Sequence, residues 1–207
     1  MPEKNINSTT TLPTVLRPTP DESGMTVPQL LEHRINTLFE QIPLVAELGE
    51  AFARAGHDLY LVGGSVRDAL MGRLGHDLDF TTDARPDDTE AILRQHTHAT
   101  WDIGRAFGTI GAQIDDWVVE VTTYRADAYH PDSRKPEIVY GETLEDDLIR
   151  RDFTVNAMAL HAATRTFSDP YAGLTDIVSG ILRTPFPPER SFSDDPERRK
   201  DRTNHPH

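Results

Sequence analysis

The sequence predicts one domain of mixed helices and strands, α/β or α+β, built around a small mixed sheet. Three observations carry this. Apolar residues recur at helical spacing between Thr26 and Ala55. Short apolar runs of strand length then alternate with helical stretches. Finally, Asp115-Asp116 separates two strand-like runs, a hairpin signal. A length of 207 residues suits one domain, or one domain and a fragment, and a 37% hydrophobic share supplies one modest core.

The elements follow in order. Residues 1 to about 25 mix Ser, Thr, Pro and charges without periodicity, which predicts a disordered lead-in. Leu30, Leu31, Ile35 and Leu38 mark one helix; Leu44, Val45, Leu48 and Phe52 mark a second, because Pro43 interrupts the run. "HDLYLVGG" reads as a buried strand ending in glycines, "SVRDALMGR" as a helix stopping near Gly72, and "HDLDFTT" as a strand. "RPDDTEAILRQHTH" carries acids in its first turn and reads as a helix. "GTIGAQID" and "WVVEVTTY" form the hairpin, and residues 125–141 are a Pro-rich, charged loop of functional length. "TLEDDLIRRDFTVNAMAL" is expected to be helical, with Thr143 as N-cap and Asp146 three residues on. "HAATRTFSDP" reads as a last strand or hairpin, and "YAGLTDIVSGILRTP" as a turn, a short helix and a short strand.

Composition excludes some classes of function. The net charge is −13, from 21 basic and 34 acidic residues, which argues against gripping nucleic acid by bulk positive charge. A polyanionic partner would need local arginines or metal ions. There is no cysteine, hence no disulfide framework and no thiolate metal site. No long apolar run or signal-peptide pattern is visible, so no membrane partner is expected and a cytoplasmic setting fits.

Four stretches carry candidate chemistry. In "LVGGSVRD" a strand runs into Gly63-Gly64, and Ser65 opens a helix. Such a turn exposes backbone N–H groups to an anion, and Arg67 sits one turn in; a plain strand–helix turn is the alternative. In "HDLDF", Asp77 and Asp79 share one strand face while Leu78 and Phe80 take the other. That pair is either a solvated face or a seat for a divalent cation. In "DWVVEVTTY", Glu120 is a lone carboxylate in an apolar strand. It is either in water on an edge strand or faces the same point as the two aspartates, an oxygen set suited to Mg²⁺. In "DLIRRDFTVNA", Arg150 and Arg151 point in different directions, one free to meet a phosphate; local pairing with Asp146, Asp147 or Asp152 is the alternative.

Together these stretches resemble the nucleotidyltransferase superfamily that includes DNA polymerase β. More closely, they resemble the class II tRNA nucleotidyltransferase (CCA-adding enzyme) and bacterial poly(A) polymerase family. The likeness spans "LVGGSVRDALMGR", "HDLDFTT", "FGTIGAQI", "VEVTTYR", "DLIRRDFTVNAMA" and "DPYAGLTDIVSGILRTP", from about Leu59 to Pro185. It implies an α+β, polymerase β-like head with a five-stranded mixed sheet and flanking helices, covering residues 26–185. It implies Asp77 and Asp79 as holders of Mg²⁺ and Glu120 as the third catalytic carboxylate. Gly64, Ser65 and Arg67 would meet the triphosphate, Arg150 and Arg151 the nucleotide, and Asn156 would support the sugar or order its motif. His76 is expected to be structural. "TDIVSGILRTP" corresponds to the head-to-neck connector, marked by Asp176, Gly180 and Arg183. The implied reaction is attack by an RNA 3′-hydroxyl on the α-phosphate of CTP or ATP at a tRNA 3′ end, with pyrophosphate leaving. Poly(A) addition is the sister activity.

The likeness weakens after "SFSDDP". Asp194, Asp195, Pro196 and Arg198 match the start of the neck, with Arg198 a nucleotide-binding candidate, but Asp201 stands where the next arginine belongs. Residues 186–207 are therefore expected to be an incomplete neck start and an irregular tail. The competing expectation is an inert head that at most binds Mg²⁺ and nucleotide.

Overall fold

The structure is a computed structural model that describes residues 12–126 and 138–186. Two helices lead. α1 (Val27–Gln41) starts at Thr26, whose side chain accepts from the Gln29 N–H while the Gln29 side chain accepts from the Thr26 N–H. α2 (Pro43–Arg54) starts one residue after α1 ends, with proline at its first position, where a missing N–H costs nothing.

The sheet then assembles. β1 (Leu59–Val62) runs into α3 (Gly64–Leu70), then β2 (Asp77–Thr82) and α4 (Pro86–Leu93). β3 (Thr100–Gly104), β4 (Thr109–Ile114) and β5 (Trp117–Thr123) follow as a meander. β6 (Arg125–Ala126) and β7 (Val139–Tyr140) pair in a separate two-stranded ribbon. α5 (Leu144–Leu148), β8 (Ala159–His161), β9 (Phe167–Ser168) and α6 (Gly173–Ser179) complete the described chain. The main sheet has the order β3-β4-β5-β2-β1-β8-β9. β2 and β5 are parallel; the other neighbours are antiparallel.

Strand alternation gives the sheet two unlike faces. Leu59, Leu61, Leu78, Phe80, Val119 and Val121 point to one side and join Val45, Leu48, Phe52 and Leu93 of the helices in the main core. Burying each such side chain contributes about 1.5–3 kcal/mol. The opposite face carries Asp77, Asp79 and Glu120. It is only partly covered, by a small second cluster of Val62, Tyr124, Leu144, Leu148, Ala157 and Ala159.

Several expectations need correction. The main sheet has seven strands, not five, because β3 and the short β9 add edges. The stretch from Thr143 is helical only to Leu148, although Thr143 does cap it. It then turns, passes a 3-10 turn at Thr154–Asn156 and becomes β8. Strand pairing of Tyr60, Leu61 and Val62 with β8 overrides the helical pattern of "FTVNAMAL". No strand follows α6 among the described residues.

The lead-in also differs from expectation. From Leu12 on it packs, with Leu12 and Leu16 in the core and 3-10 turns at Thr14–Leu16 and Pro20–Glu22. Its anchor is a buried ion pair: Arg34 donates to Glu22 through Nε at 3.2 Å and Nη2 at 2.9 Å. Arg34 also donates to the carbonyls of Leu70 at 2.5 Å and Arg17 at 3.1 Å. One guanidinium on α1 thus ties the lead-in to the end of α3, a tertiary contact no local pattern announces. Residues 1–11 and 187–207, including Arg198 and the expected neck start, lie outside the described residues, as do residues 127–137 of the expected loop.

Candidate active site

The parallel register of β2 and β5 builds the centre. Asp79 is the register partner of Glu120, and Asp77 that of Val118, so the three carboxylates share the face opposite the main core. Asp77 is exposed; Asp79 and Glu120 are half-buried. Burial raises the Asp79 carboxyl above the usual range, Arg151 pulls it back, and Asp77 raises it further. Burial also raises Glu120, and the charges of Asp79 and Asp77 add to the effect. The centre therefore concentrates negative charge that its own residues only partly offset.

A hydroxyl fixes this strand to the glycine turn. Ser65 Oγ donates to the Asp77 carbonyl at 3.3 Å and accepts from the Asp79 N–H at 3.2 Å. The start of α3 is thereby tied to both ends of the Asp-x-Asp unit. The Ser65 side chain, expected to meet a nucleotide, makes both of these hydrogen bonds to the β2 backbone.

The turn itself requires glycine. Gly63 has φ +64° and ψ −137°, a conformation side-chain-bearing residues avoid. A Cβ there would lie 3.2 Å from Arg151 Nη1, and one at Gly64 would lie 3.2 Å from Arg67 Nη2. The missing side chains let two guanidiniums close on the same stretch of backbone. Arg67 is held by Asp68 at 3.1 Å and by Asn156 Oδ1 at 2.7 Å. Asn156 in turn donates to Asp152 Oδ1 at 3.0 Å, which links Arg67 to the segment after α5.

Arg151 pairs with Asp147 at 3.0 Å, one helical turn away. That is the local pairing held open as an alternative, but Asp147 is buried and Arg151 still reaches the glycine turn. Among the described residues the buried Nε of Arg151 has no partner. Arg150 is exposed and lies near enough to Arg125 to disfavour its charge. Asp147 was not singled out as a site residue; its i,i+4 spacing to Arg151 was the available signal. His76 is exposed, its ring 6.2 Å from that of Trp117.

Among the described residues no three His, Cys, Asp or Glu side chains are placed to hold a metal ion by themselves. The idea of three carboxylates closing around one point is thus not realised as a ready cage. Two neighbouring carboxylates still suit a hard cation that takes its remaining oxygens from water and substrate phosphates. Among the described residues no helix is long and apolar enough to cross a membrane.

Known proteins share this fold. The CCA-adding enzyme of Bacillus subtilis (strain 168) is 42% identical over 142 residues, 68% of this chain and 34% of its own length. The chain therefore spans about a third of that curated relative. The crystal structure of the Bacillus stearothermophilus CCA-adding enzyme in complex with CTP superposes with a TM-score of 0.65 at 34% identity, over 76% of this chain and 37% of that one. A tRNA nucleotidyltransferase complexed with a primer tRNA and an incoming ATP analog gives 0.59 at 33% identity, over 73% and 42%. The Poly A polymerase head domain family matches residues 59–183, the span that holds the glycine turn, all three carboxylates and both arginines of the turn. On that match, and on the relatives that share it, the chain belongs to the Poly A polymerase head domain family.

Proposed function

We propose that the chain is the catalytic head of a tRNA 3′-end nucleotidyltransferase that adds or repairs CCA. It would transfer CMP or AMP from CTP or ATP to an RNA 3′-hydroxyl and release pyrophosphate. The observation that carries this reading is the pairing of Asp79 with Glu120 beside Asp77, one turn from two guanidiniums on Gly63-Gly64.

Each group has a task that follows from its position. Asp77 and Asp79 would hold Mg²⁺, which suits their hard oxygens and their unbalanced charge. When bound, the metal supplies Lewis acidity that eases loss of the hydroxyl proton and offsets charge on the departing pyrophosphate. Glu120 adds negative charge beside Asp79 and strengthens that seat. Arg67 and Arg151, with the N–H groups of the glycine turn, would receive the triphosphate and fix its orientation. Asn156 and Asp147 hold those two arginines in place. Ser65 sets the spacing between phosphate seat and carboxylates. Arg150 is assigned a second, outer contact with the nucleotide, and Arg198 a contact with its base.

The name of the matching family favours a second reading, poly(A) addition, which uses the same head. A gel extension assay separates the outcomes. The purified chain is mixed with tRNA lacking CCA, Mg²⁺, and CTP or ATP singly and together, beside Asp77→Ala. Ordered addition of C, C and A, lost in the variant, is the expected result. Runs of A from ATP alone would establish poly(A) addition instead. No extension by folded protein would refute both and leave a metal- and nucleotide-binding head.

A further inference from the structure

Across the carboxylates from the glycine turn, the sheet presents a second surface that the reading above leaves unused. Glu120 is the register partner of Gly111 on β4, and Gly111 is that of Trp101 on β3. Register partners share a face, so one row runs Asp79, Glu120, Gly111, Trp101. Gly111 adds no side chain to this row, and its backbone is buried, so the exposed ends of the row are the carboxylates and the indole. Trp101 is 39% exposed on this edge, and Phe107, at the start of the turn into β4, is 55% exposed. Large aromatic rings left in water at the rim of a charged cleft are costly unless they meet a flat apolar partner.

Arg125 stands beside them. Its Nη2 donates to the Phe107 carbonyl and, at 3.5 Å, to Thr109 Oγ1. Thr109 pairs with Thr122, one row beyond Glu120 on the same face. Arg125 Nε is buried and has no partner, and no carboxylate pairs with this side chain among the described residues. Burial and the nearby Arg150 both disfavour its charge, and Asp147, whose charge favours it, is paired with Arg151. A half-buried guanidinium with spare N–H donors and a like-charged neighbour is a receptor for an anion.

We propose that Trp101 and Arg125 form the seat of the RNA 3′ end, Trp101 stacking on a terminal base and Arg125 holding a backbone phosphodiester. The seat rests on the nucleotidyltransfer reading for its direction. In-line displacement puts the attacking hydroxyl and the leaving pyrophosphate on opposite sides of the α-phosphorus. The glycine turn lies on the β1 side of the carboxylates, so the hydroxyl comes from the β4–β3 side, where this surface lies. Single strands are held by aromatic rings that stack on bases together with cationic groups that meet the backbone.

The chain has two tryptophans, so Trp117→Phe leaves Trp101 as the sole indole. That variant is titrated at low ionic strength with a short RNA ending in CC-3′-OH, and separately with Mg²⁺–CTP. RNA is expected to quench Trp101 emission. Adding Arg125→Gln should weaken RNA binding about tenfold and lower the slope of log K against log salt by about one, with CTP affinity unchanged. Trp101→Ala, followed with fluorescein-labelled RNA, should weaken binding about tenfold, and its exposure guards against a folding artefact. Absence of quenching, an unchanged salt slope, or a loss confined to CTP would overturn the proposal, the last by making Arg125 a nucleotide contact. Asp77→Ala should keep the RNA quench. A chain that binds RNA through Trp101 and Arg125 but never extends it refutes the activity alone; extension without these effects refutes the seat alone.

Discussion

Glu120→Gln should make the metal-free chain more stable at neutral pH, which is unusual for a change inside a sheet. Glu120 and Asp79 are register partners on adjacent strands, and strands lie about 4.8 Å apart. Two unit charges roughly 6 Å apart repel by about 0.7 kcal/mol at the dielectric constant of water and about 2.8 kcal/mol at an effective value of 20. Removing one charge should therefore add about 1–3 kcal/mol, at roughly 2–4 °C of Tm per kcal/mol for a chain of this size. The pH dependence fixes the sign. Folding raises the Glu120 pKa, so the folded state binds the proton more tightly and ionisation costs stability. The gap between variant and wild type should be full above the raised value, shrink as pH falls, and vanish below the ordinary carboxylate range. Thermal unfolding in EDTA from pH 3.5 to 8 measures it. Added Mg²⁺ should raise the wild-type Tm and do so less in the variant. A variant less stable than wild type at pH 7, or a gap that does not change with pH, would refute the repulsion argument.

Other consequences can be checked together. Asp77→Ala should abolish nucleotide transfer while shifting the unfolding midpoint by less than about 0.5 kcal/mol, because the residue is exposed; extension assays and urea melts on the same protein test both halves. Arg67→Ala should weaken triphosphate binding, and Asn156→Ala should follow in the same direction but less, since it acts through Arg67; calorimetric titration with Mg²⁺–CTP ranks them. Glu22→Gln should cost about 3 kcal/mol by leaving Arg34 buried and unpaired. Arg34 holds the Glu22 carboxyl below its usual range, so that stability is present above the ordinary carboxylate pKa and lost as pH falls through the lowered one. Gly173→Ala should destabilise by at least about 1–3 kcal/mol, because its Cβ would fall 2.2 Å from the Thr154 carbonyl oxygen, as denaturant melts would show.

Period and punctuation made much of this legible. The alternation in "HDLDF" and "WVVEV" placed the three carboxylates on polar faces, and the paired glycines marked the turn. The register that sets Asp79 beside Glu120 was not legible, because parallel pairing joins strands some forty residues apart. β3 was missed even though Trp101 and Ile103 alternate, since the run is short and lies at an edge. The lead-in looked disordered because its anchors are Leu16 and a Glu22–Arg34 pair whose partners lie elsewhere. "DLIRRD" was read as continuous helix because its residues favour one; strand pairing of the segment after it decided otherwise.

The Ser65 hydroxyl, caught between the Asp77 carbonyl and the Asp79 amide, acts as a gauge block. It makes the interval between the glycine turn and the carboxylates a constant of the fold rather than something a bound molecule must induce. Whatever chooses the base or grips the RNA can then be rebuilt around the head without recalibrating the reaction coordinate.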